Sequence, residues 1–390
     1  MNNKRKLKIA VVDCSVSGHR ETYYRTFATV WAGMGHEVLL LAPQPSGTEE
    51  VAAFRRIDIR PLRPLPANRP LQKKLAVLQN ALIRLRNLKS IRRQLDDFCP
   101  DLVFFPCLDD LLPTLGSMRL FDRLLPYCWS GLLVQSALPR WQKGMPDVRP
   151  YLGSSHCLGV GVLNEYSADD LKAFQPHVWC MPDFADLSAP DPSYPLLQTL
   201  RQRAGGRKIV SLLGSIGMRK GVTLLQQVIP LLPEDEYFFL VAGRSWLDEA
   251  ETSRLRALES GRTNCLFSLE RIPDEACFNA LVAASDVIFA VYRNFTGSSN
   301  LLTKAAAFQR PVVVSQGACM GWRAEKFGIG RVVMETDANA CRKAIVDLCH
   351  DATDRTGAYD RYLQQHSLGR LRSCLETLQE TLFDNPIKTT

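Results

Sequence analysis

The chain lacks long hydrophobic runs and closely spaced cysteine pairs. No apolar segment of the 390 residues approaches the roughly 20 residues that span a bilayer. The first residues lead into a strand pattern without the features of a signal peptide. The twelve cysteines include no C-x-x-C pair, so we expect buried thiols in a reducing compartment rather than disulfides or a zinc site. These absences predict a cytoplasmic protein.

Two nucleotide-handling motifs are also missing. The first strand-loop-helix unit has no G-x-G-x-x-G, which argues against a nicotinamide-type site. No D-x-D metal motif occurs, so we expect neither a metal ion nor a resident cofactor. The composition, 46% apolar and 23% charged, is that of an ordinary globular protein. A length of 390 residues predicts two or three domains.

Acidic residues are almost absent from residues 55–93. This stretch has twelve Lys and Arg against Asp58 alone; because the chain is net +8 and the stretch +11, the rest is net −3. Leucines from Leu71 to Leu95 recur there at helical spacing. A basic amphipathic helix suits an anionic membrane surface or an anionic acceptor, and its alternative is a core-packed helix with a solvated basic face. Aromatics are absent between Arg56 and Arg93, which makes nucleic acid a poor partner.

The N-terminal half shows an α/β rhythm. A strand pattern over Leu7–Val12 is followed by a loop with Gly18 and His19 and then by a helix pattern from Arg20 to Met34. His19 is a candidate for hydrogen bonding to substrate or for acid–base chemistry, and its alternative is a local partner at the helix start. Asp109 and Ser130 each follow an apolar segment, which makes them candidates for a cleft at the ends of parallel strands.

A proline-rich segment from Met181 to Pro195 interrupts the rhythm, and a new series of strand-loop-helix units starts at Lys208. The loop after Leu213 carries two adjacent cations, Arg219 and Lys220, between glycines. Lysine suits phosphate as a point charge and arginine as a fork, whereas the alternative is a pair of solvated surface cations.

The segment from Asp286 to Ser315 carries a second small-residue loop. An apolar run over Val287–Tyr292 predicts a strand, Thr296–Ser299 a loop, and Asn300–Phe308 a helix. We expect Ser298 and Ser299 to cap that helix and to donate to phosphate. Together with the Arg219–Lys220 loop, this loop is predicted to hold a diphosphate from two sides.

These motifs resemble those of GT-B glycosyltransferases, nearest the retaining family-4 type. The resemblance covers roughly residues 8–335 and is strongest in GSIGMRKGV, VAGR, RIPDEACFNALVAASDVIFAVY and GSSNLLTKAAAFQRPVVVS. It implies two Rossmann-like, doubly wound α/β domains that face each other across a cleft. The C-terminal domain would hold the nucleotide-diphospho-sugar and the N-terminal domain the acceptor, with a terminal helix that crosses back to the N-terminal domain.

The resemblance also assigns roles to single residues. Lys220 matches the family's diphosphate-binding lysine, Ile272 lies where the nucleobase meets the backbone, and Asp183 stands where the hinge motif usually has Asn. Thr296 and Lys304 occupy positions where the family has two glutamates that contact the donor sugar and the ribose. Ser215 stands where the family has a phosphate-binding arginine, and Arg219 is expected to take over the role of that arginine.

The expected activity is transfer of a sugar from a nucleotide-diphospho-sugar to a glycan, a lipid-linked or a small-molecule acceptor, with retention and without metal. The alternatives are a catalytically silent sugar-nucleotide-binding protein and a sugar-nucleotide epimerase. The predicted domains are 1–182, a linker 183–206, 207–366, and a C-terminal helix within 367–390. The predicted catalytic residues are Lys220, Arg219 and His19, with acceptor-side residues Asp109 and Ser130. The predicted donor-binding residues are Gly18, Gly214, Ser215, Gly243, Ile272, Tyr292, Thr296, Gly297, Ser298, Ser299 and Asn300.

Overall fold

The structure, a computed structural model, describes residues 5–14, 20–43, 53–62, 70–111, 118–134 and 149–384. The chain forms two compact units, which we call unit 1 and unit 2. Unit 1 is Met1–Pro182 together with Leu368–Thr390, and unit 2 is Asp183–Ser367. Each unit is built on one parallel sheet, so both are α/β as predicted.

Unit 1 contains a seven-stranded sheet in the order β3-β2-β1-β4-β5-β6-β7. Its strands are β1 Lys8–Val12, β2 Glu37–Ala42, β3 Ala53–Arg56, β4 Leu102–Phe105, β5 Trp129–Leu133, β6 Cys157–Val162 and β7 Val178–Cys180. The central strands are buried apolar runs because helices cover both faces of a parallel sheet.

The helices of unit 1 pack on both faces of this sheet. They are α1 Arg20–Gly33, α2 Pro70–Phe98, α3 Met118–Leu124, α4 Glu165–Leu171 and the C-terminal α13 Leu368–Asp384. Helix α13 contacts α1 and β6, which places the end of the chain in the N-terminal unit. Helix α1, at the position predicted for a helix, buries Tyr24, Phe27 and Trp31.

Helix α2 has two halves with different surroundings. Its C-terminal half buries Leu88, Ile91 and Leu95 in the core of unit 1. Its N-terminal half leaves four leucines at one-face spacing exposed, namely Leu71, Leu75, Leu78 and Leu82. The leucine pattern therefore predicted a helix correctly, but only half of that pattern is core.

Unit 2 contains a six-stranded parallel sheet in the order β10-β9-β8-β11-β12-β13. Its strands are β8 Lys208–Leu213, β9 Tyr237–Ala242, β10 Cys265–Ser268, β11 Val287–Ala290, β12 Val312–Ser315 and β13 Gly330–Val333. Alternate residues of β8 enter two separate cores, Ile209 on one face and Val210 on the other, as expected for a sheet between two helix layers.

Eight helices complete unit 2. They are α5 Pro195–Ala204, α6 Val222–Val228, α7 Glu249–Ser260, α8 Glu275–Ala284, α9 Leu301–Ala307, α10 Ala318–Phe327, α11 Ala338–His350 and α12 Thr356–Gln365. Helix α5 lies inside the stretch predicted as a linker. Its Leu197 and Leu200 are buried in the core of unit 2, because the proline-rich segment ends at the first turn of this helix.

Both sheets have one point where the direction of strand addition reverses. In unit 1 it lies between β1 and β4, and in unit 2 between β8 and β11. Helices leave such a pair of strands toward opposite faces, so a crevice opens at their carboxyl ends, where doubly wound proteins bind ligands. This topology directs attention to the loops that follow β8 and β11.

The twelve cysteines are free thiols in different surroundings. Seven are buried, as predicted, four are half-buried, and Cys99 is exposed. Within the described ranges, no helix combines the length and the hydropathy that a membrane span requires.

Candidate functional site

The loop after β8, residues 214–221 and here called the β8 loop, places two cations at a crevice edge. Met218–Lys220 form one 3-10 turn, closed by a bond from the Lys220 N–H to the Gly217 carbonyl at 2.8 Å. Arg219 is exposed and Lys220 half-buried. The predicted pair of cations therefore has one exposed and one half-buried member.

The loop after β11, residues 291–300 and here called the β11 loop, is fastened to the β8 loop. The Arg293 N–H donates to the Arg219 carbonyl at 2.7 Å. Gly221 has φ +75°, and a Cβ there would lie 2.1 Å from the Val291 carbonyl oxygen, so only glycine permits this approach. The strand predicted over Val287–Tyr292 ends at Ala290, because the two following residues already belong to this junction.

Lys220 meets a phenol and a hydroxyl from the β11 loop. Its Nζ donates to the Tyr292 hydroxyl and lies 4.1 Å from the centroid of that ring. The same phenol oxygen is 3.5 Å from Ser299 Oγ. An ammonium, a phenol and an alcohol thus converge at the carboxyl ends of β8 and β11, and all three are groups that donate to anions.

Arg219 is also supported by an aromatic ring. Its guanidinium lies 4.6 Å from the centroid of Phe295, and that ring packs against Tyr292 at 5.4 Å. Each cation of the β8 loop therefore lies over one aromatic ring of the β11 loop, in a cation–π contact. Sequence reasoning missed Phe295, although its position beside Thr296 marks it as part of the loop.

Ser298 does not share this cluster, contrary to expectation. Its Oγ donates to the Asp183 carboxylate and accepts from Arg323 Nη1 at 2.5 Å. Helix α9 begins after Asn300 without any side-chain cap, so neither Ser298 nor Ser299 caps it as predicted. The physical reason is that the buried Asp183–Arg323 pair competes for the Ser298 hydroxyl. Nothing in the sequence around Arg323 indicated this role.

Lys304, one of the two departures from the family pattern, is turned into the protein. Its Nζ donates to Asn279 Oδ1 at 2.6 Å and to the Asp186 carbonyl at 2.5 Å, and it pairs with Glu275 at 2.8 Å. Only 2% of its side chain is exposed. Lys304 therefore ties the segment after Pro182 to helix α8. Thr296, the other departure, is exposed in the β11 loop.

The remaining residues of the predicted donor set lie along the same sheet edge. Gly243 follows β9 with φ +139°, and a Cβ there would be 1.7 Å from the Gly214 carbonyl oxygen. This contact joins the loops after β9 and β8. Ile272 follows β10 and is half-buried, whereas Ser215 is exposed. Gly297 is buried and Asn300 half-buried in the β11 loop.

The residues predicted in unit 1 lie in different environments. Asp109 is in a 3-10 turn after β4, at the point where the sheet reverses, and its carboxylate accepts from the Val134 N–H at 2.9 Å. Ser130 lies within β5 and not after a strand; it is fully buried and donates to the Gly159 carbonyl at 2.8 Å. Gly18 and His19 fall outside the described residues.

A buried histidine completes the polar network behind the β11 loop. His366 Nδ1 accepts from the Asp183 N–H at 3.0 Å, which requires a neutral ring. Burial, with Arg323 and Lys326 nearby, lowers the pKa of His366 to about 3. In the described part of the chain, no three side chains of His, Cys, Asp or Glu come together as metal ligands would.

A comparison with known protein families gives a match in unit 2. Residues 207–351, most of unit 2, match the family described as glycosyl transferases group 1. No curated protein sequence matches the chain.

Solved structures match over nearly the whole length. A glycosyltransferase from Rickettsia africae has a TM-score of 0.66 at 15% identity and covers 99% of this chain and 100% of its own. Anabaena HepE, in complex with UDP and glucose, has a TM-score of 0.66 at 14% identity, with 96% and 100% covered. Sucrose-phosphate synthase from Thermosynechococcus elongatus has a TM-score of 0.70 at 15% identity, with 97% and 100% covered. The predicted GT-B fold is thereby confirmed.

Proposed function

Because residues 207–351 match the family described as glycosyl transferases group 1 and the chain has the GT-B fold, we propose that it is a glycosyltransferase that moves a sugar from a nucleotide-diphospho-sugar to an acceptor. Similar structures contain UDP, glucose and UDP-glucose, which supports this class of donor. The acceptor class follows the sequence analysis: a glycan, a lipid-linked or a small-molecule hydroxyl compound.

The observation that carries this proposal is the cluster of Lys220, Tyr292 and Ser299 between β8 and β11. It lies at the point of strand reversal, it brings an ammonium that is held by the Tyr292 phenol together with the Ser299 hydroxyl, and Arg219 stands beside it. A diphosphate requires this combination: positive charge for its net charge and several donors for its oxygens. We assign the diphosphate of the donor to this cluster.

The reaction places its largest charge change on that diphosphate. The bond between the anomeric carbon and the phosphate oxygen breaks, and the oxygen keeps the electron pair. The acceptor oxygen bonds to the anomeric carbon and releases its proton, so that the products are the glycoside, the nucleoside diphosphate and a proton. Lys220 and Arg219 lower the barrier because they stabilise the charge that develops on the leaving oxygen.

Retention of the anomeric configuration and independence of metal ions are parts of the same proposal. Both rest on the family resemblance, and Lys220 with Arg219 supplies positive charge of the kind that a divalent ion would supply. Asp109, in the turn after β4 at the reversal point of the unit 1 sheet, is the proposed residue on the acceptor side of the reaction. His19 stays a predicted catalytic residue outside the described ranges.

An anionic membrane surface is the proposed location of the acceptor. The exposed leucines of α2 lie on one helix face, with Lys74 exposed between them and Arg86 and Lys89 exposed beyond. Apolar side chains flanked by cations are the pattern of helices that lie in the interface of anionic bilayers. On this basis we propose a cytoplasmic protein that binds the inner membrane surface.

A panel of nucleotide sugars tests the central proposal. The true donor raises the melting temperature, because a ligand at about 100 times its Kd stabilises a protein by about 2.7 kcal/mol. With that donor and an acceptor mixture, the protein releases nucleoside diphosphate. Lys220→Ala lowers turnover about a hundredfold, whereas the control Lys343→Ala, a surface lysine of α11, leaves it unchanged.

The replacement of two family glutamates by Thr296 and Lys304 gives weight to one alternative, a protein that binds the donor without transferring its sugar. In that case a nucleotide sugar raises the melting temperature and no nucleoside diphosphate appears. An epimerase would instead change the sugar of the donor, which mass and NMR analysis of the recovered nucleotide sugar detects. A panel without any stabilising nucleotide sugar would contradict both the proposal and these alternatives.

A further inference from the structure

Lys220 is half-buried, yet its ammonium has a defined partner before any ligand arrives. The Tyr292 hydroxyl accepts from Nζ, and the same ammonium lies 4.1 Å from the ring centroid of that tyrosine. Tyr292 is 2% exposed. The flexible side chain of Lys220 is therefore held by Tyr292, which is itself buried.

Tyr292 is in turn fixed from three directions. Its carbonyl accepts from Ser315 Oγ at 2.5 Å, its ring packs against Phe295, and its N–H donates to the Ala290 carbonyl at 2.9 Å. The backbone bond between Arg293 and Arg219 joins the residue after Tyr292 to the residue before Lys220. The phenol consequently has little freedom relative to the β8 loop.

The ammonium lies beside Gly214: a Cβ there, at φ +104°, would be at van der Waals distance, 3.7 Å, from Lys220 Nζ. Lys220 is half-buried, so part of its side chain reaches the solvent. The ammonium can thus donate to the phenol and still present its other N–H groups to a ligand.

We infer that Tyr292 is a positioning residue that holds the Lys220 ammonium in place for an anion in the crevice between β8 and β11. The inference rests on the proposed function only for the identity of the anion, a diphosphate. Preorganisation of this kind increases the effect of a charge because the side chain does not have to be ordered when the ligand binds.

The first test measures Lys220 without any ligand. Reductive methylation followed by peptide mass spectrometry gives the labelling rate of each lysine. Tyr292→Phe keeps the ring and removes the hydroxyl, so the Lys220 rate rises severalfold. The rate of Lys343 stays the same, which separates the release of one ammonium from general unfolding.

A matched control removes a phenol elsewhere in the same unit. Tyr237 is the first residue of β9, at the amino ends of the strands and so away from the β8 and β11 loops. Its hydroxyl lies 3.1 Å from His350 Nε2. Tyr237→Phe leaves the Lys220 labelling rate unchanged. An unchanged Lys220 rate in Tyr292→Phe, or an equal rise in Tyr237→Phe, would overturn the inference.

The second test uses inorganic pyrophosphate as the probe. Pyrophosphate protects Lys220 from labelling in the wild type. In Tyr292→Phe the affinity for pyrophosphate falls roughly tenfold, because the Lys220 ammonium has lost the hydrogen bond that positions it. In a Lys220→Ala background the tyrosine substitution has no further effect. Equal losses in both backgrounds contradict positioning through Lys220. If Tyr292→Phe raises the labelling rate but pyrophosphate gives no protection, the positioning role stands and the proposed diphosphate site fails.

Discussion

Arg323 and Asp183 form an ion pair in the interior of unit 2, with 3.6 Å between guanidinium and carboxylate and at most 1% of either side chain exposed. Removal of one partner from such a pair leaves a buried, uncompensated charge, which typically costs 3–5 kcal/mol. We therefore predict that Asp183→Asn lowers the free energy of unfolding by about 3 kcal/mol. Urea unfolding measures this loss.

The double variant Asp183→Asn with Arg323→Met is the control for that prediction. Because no charge remains buried, we expect it to recover most of the lost stability. A single Asp183→Asn variant as stable as the wild type would show that the arginine has another counter-charge.

His366 makes unit 2 sensitive to acid. Its pKa is about 3 in the folded protein and ordinarily about 6.5, so below pH 6.5 the unfolded chain takes up a proton that the folded chain does not. Folding stability therefore falls as the pH drops from 6.5 toward 3, by at most about 1.4 kcal/mol per pH unit from this group. Above pH 6.5 the group contributes no pH dependence.

The variant His366→Asn tests this assignment, since its amide oxygen still accepts from the Asp183 N–H. We expect it to lose less stability than the wild type between pH 6.5 and pH 4.5, as measured by urea unfolding at each pH. Parallel pH profiles for the two proteins would assign the acid sensitivity to groups other than His366. Asp351 is not one of them in this range, because hydrogen bonds from Thr353 lower its pKa to about 2 and it affects stability only below pH 3.8.

Gly243 determines how closely the loops after β8 and β9 approach. Gly243→Ala would place a methyl group 1.7 Å from the Gly214 carbonyl oxygen at an unfavourable φ, so we predict a loss of about 3 kcal/mol in unfolding free energy. Gly357→Ala in helix α12 is the control, because the nearest atom to its Cβ would be 3.6 Å away, at the end of the flexible Arg361 side chain. That substitution keeps or slightly raises the stability.

The exposed leucines of α2 predict membrane binding that depends on lipid charge. Leu75→Ser with Leu78→Ser reduces binding to vesicles of anionic phospholipid roughly tenfold or more, because two apolar side chains no longer enter the interface. Sedimentation with vesicles at low and high salt measures this. The matched control is Leu187→Ser with Leu231→Ser, two leucines of unit 2 with 46% and 43% exposure. Equal binding by both double variants would exclude α2 as the membrane contact.

Much of the fold was readable from short apolar runs bounded by glycine, proline and polar residues. Strands β8 and β11 fall close to their predicted positions, because buried parallel strands are continuous apolar segments. The edge strands β3 and β7 were missed, since their residues are only half-buried or exposed and so lack such a run. The sequence did not indicate which half of α2 is exposed and which is buried, because both halves carry leucine at the same spacing.

The candidate site was partly readable. Lys220 and the β11 loop were identified from local features: adjacent cations between glycines, and small residues between a strand and a helix. The different hydrogen-bond partners of Ser298 and Ser299 could not be predicted. Ser298 binds Asp183 and Arg323, which are 115 and 25 residues away along the chain.

The sequence alone therefore determined the α/β class, the order of strands and helices, and the loop that carries the lysine, since these depend on neighbouring residues and on apolar period. Only the tertiary structure decided which groups that lysine meets. Tyr292 reaches Lys220 because β8 and β11 are adjacent in the sheet although they are far apart in the chain. Strand adjacency is set by the packing of whole helices on a sheet, and no local pattern encodes it.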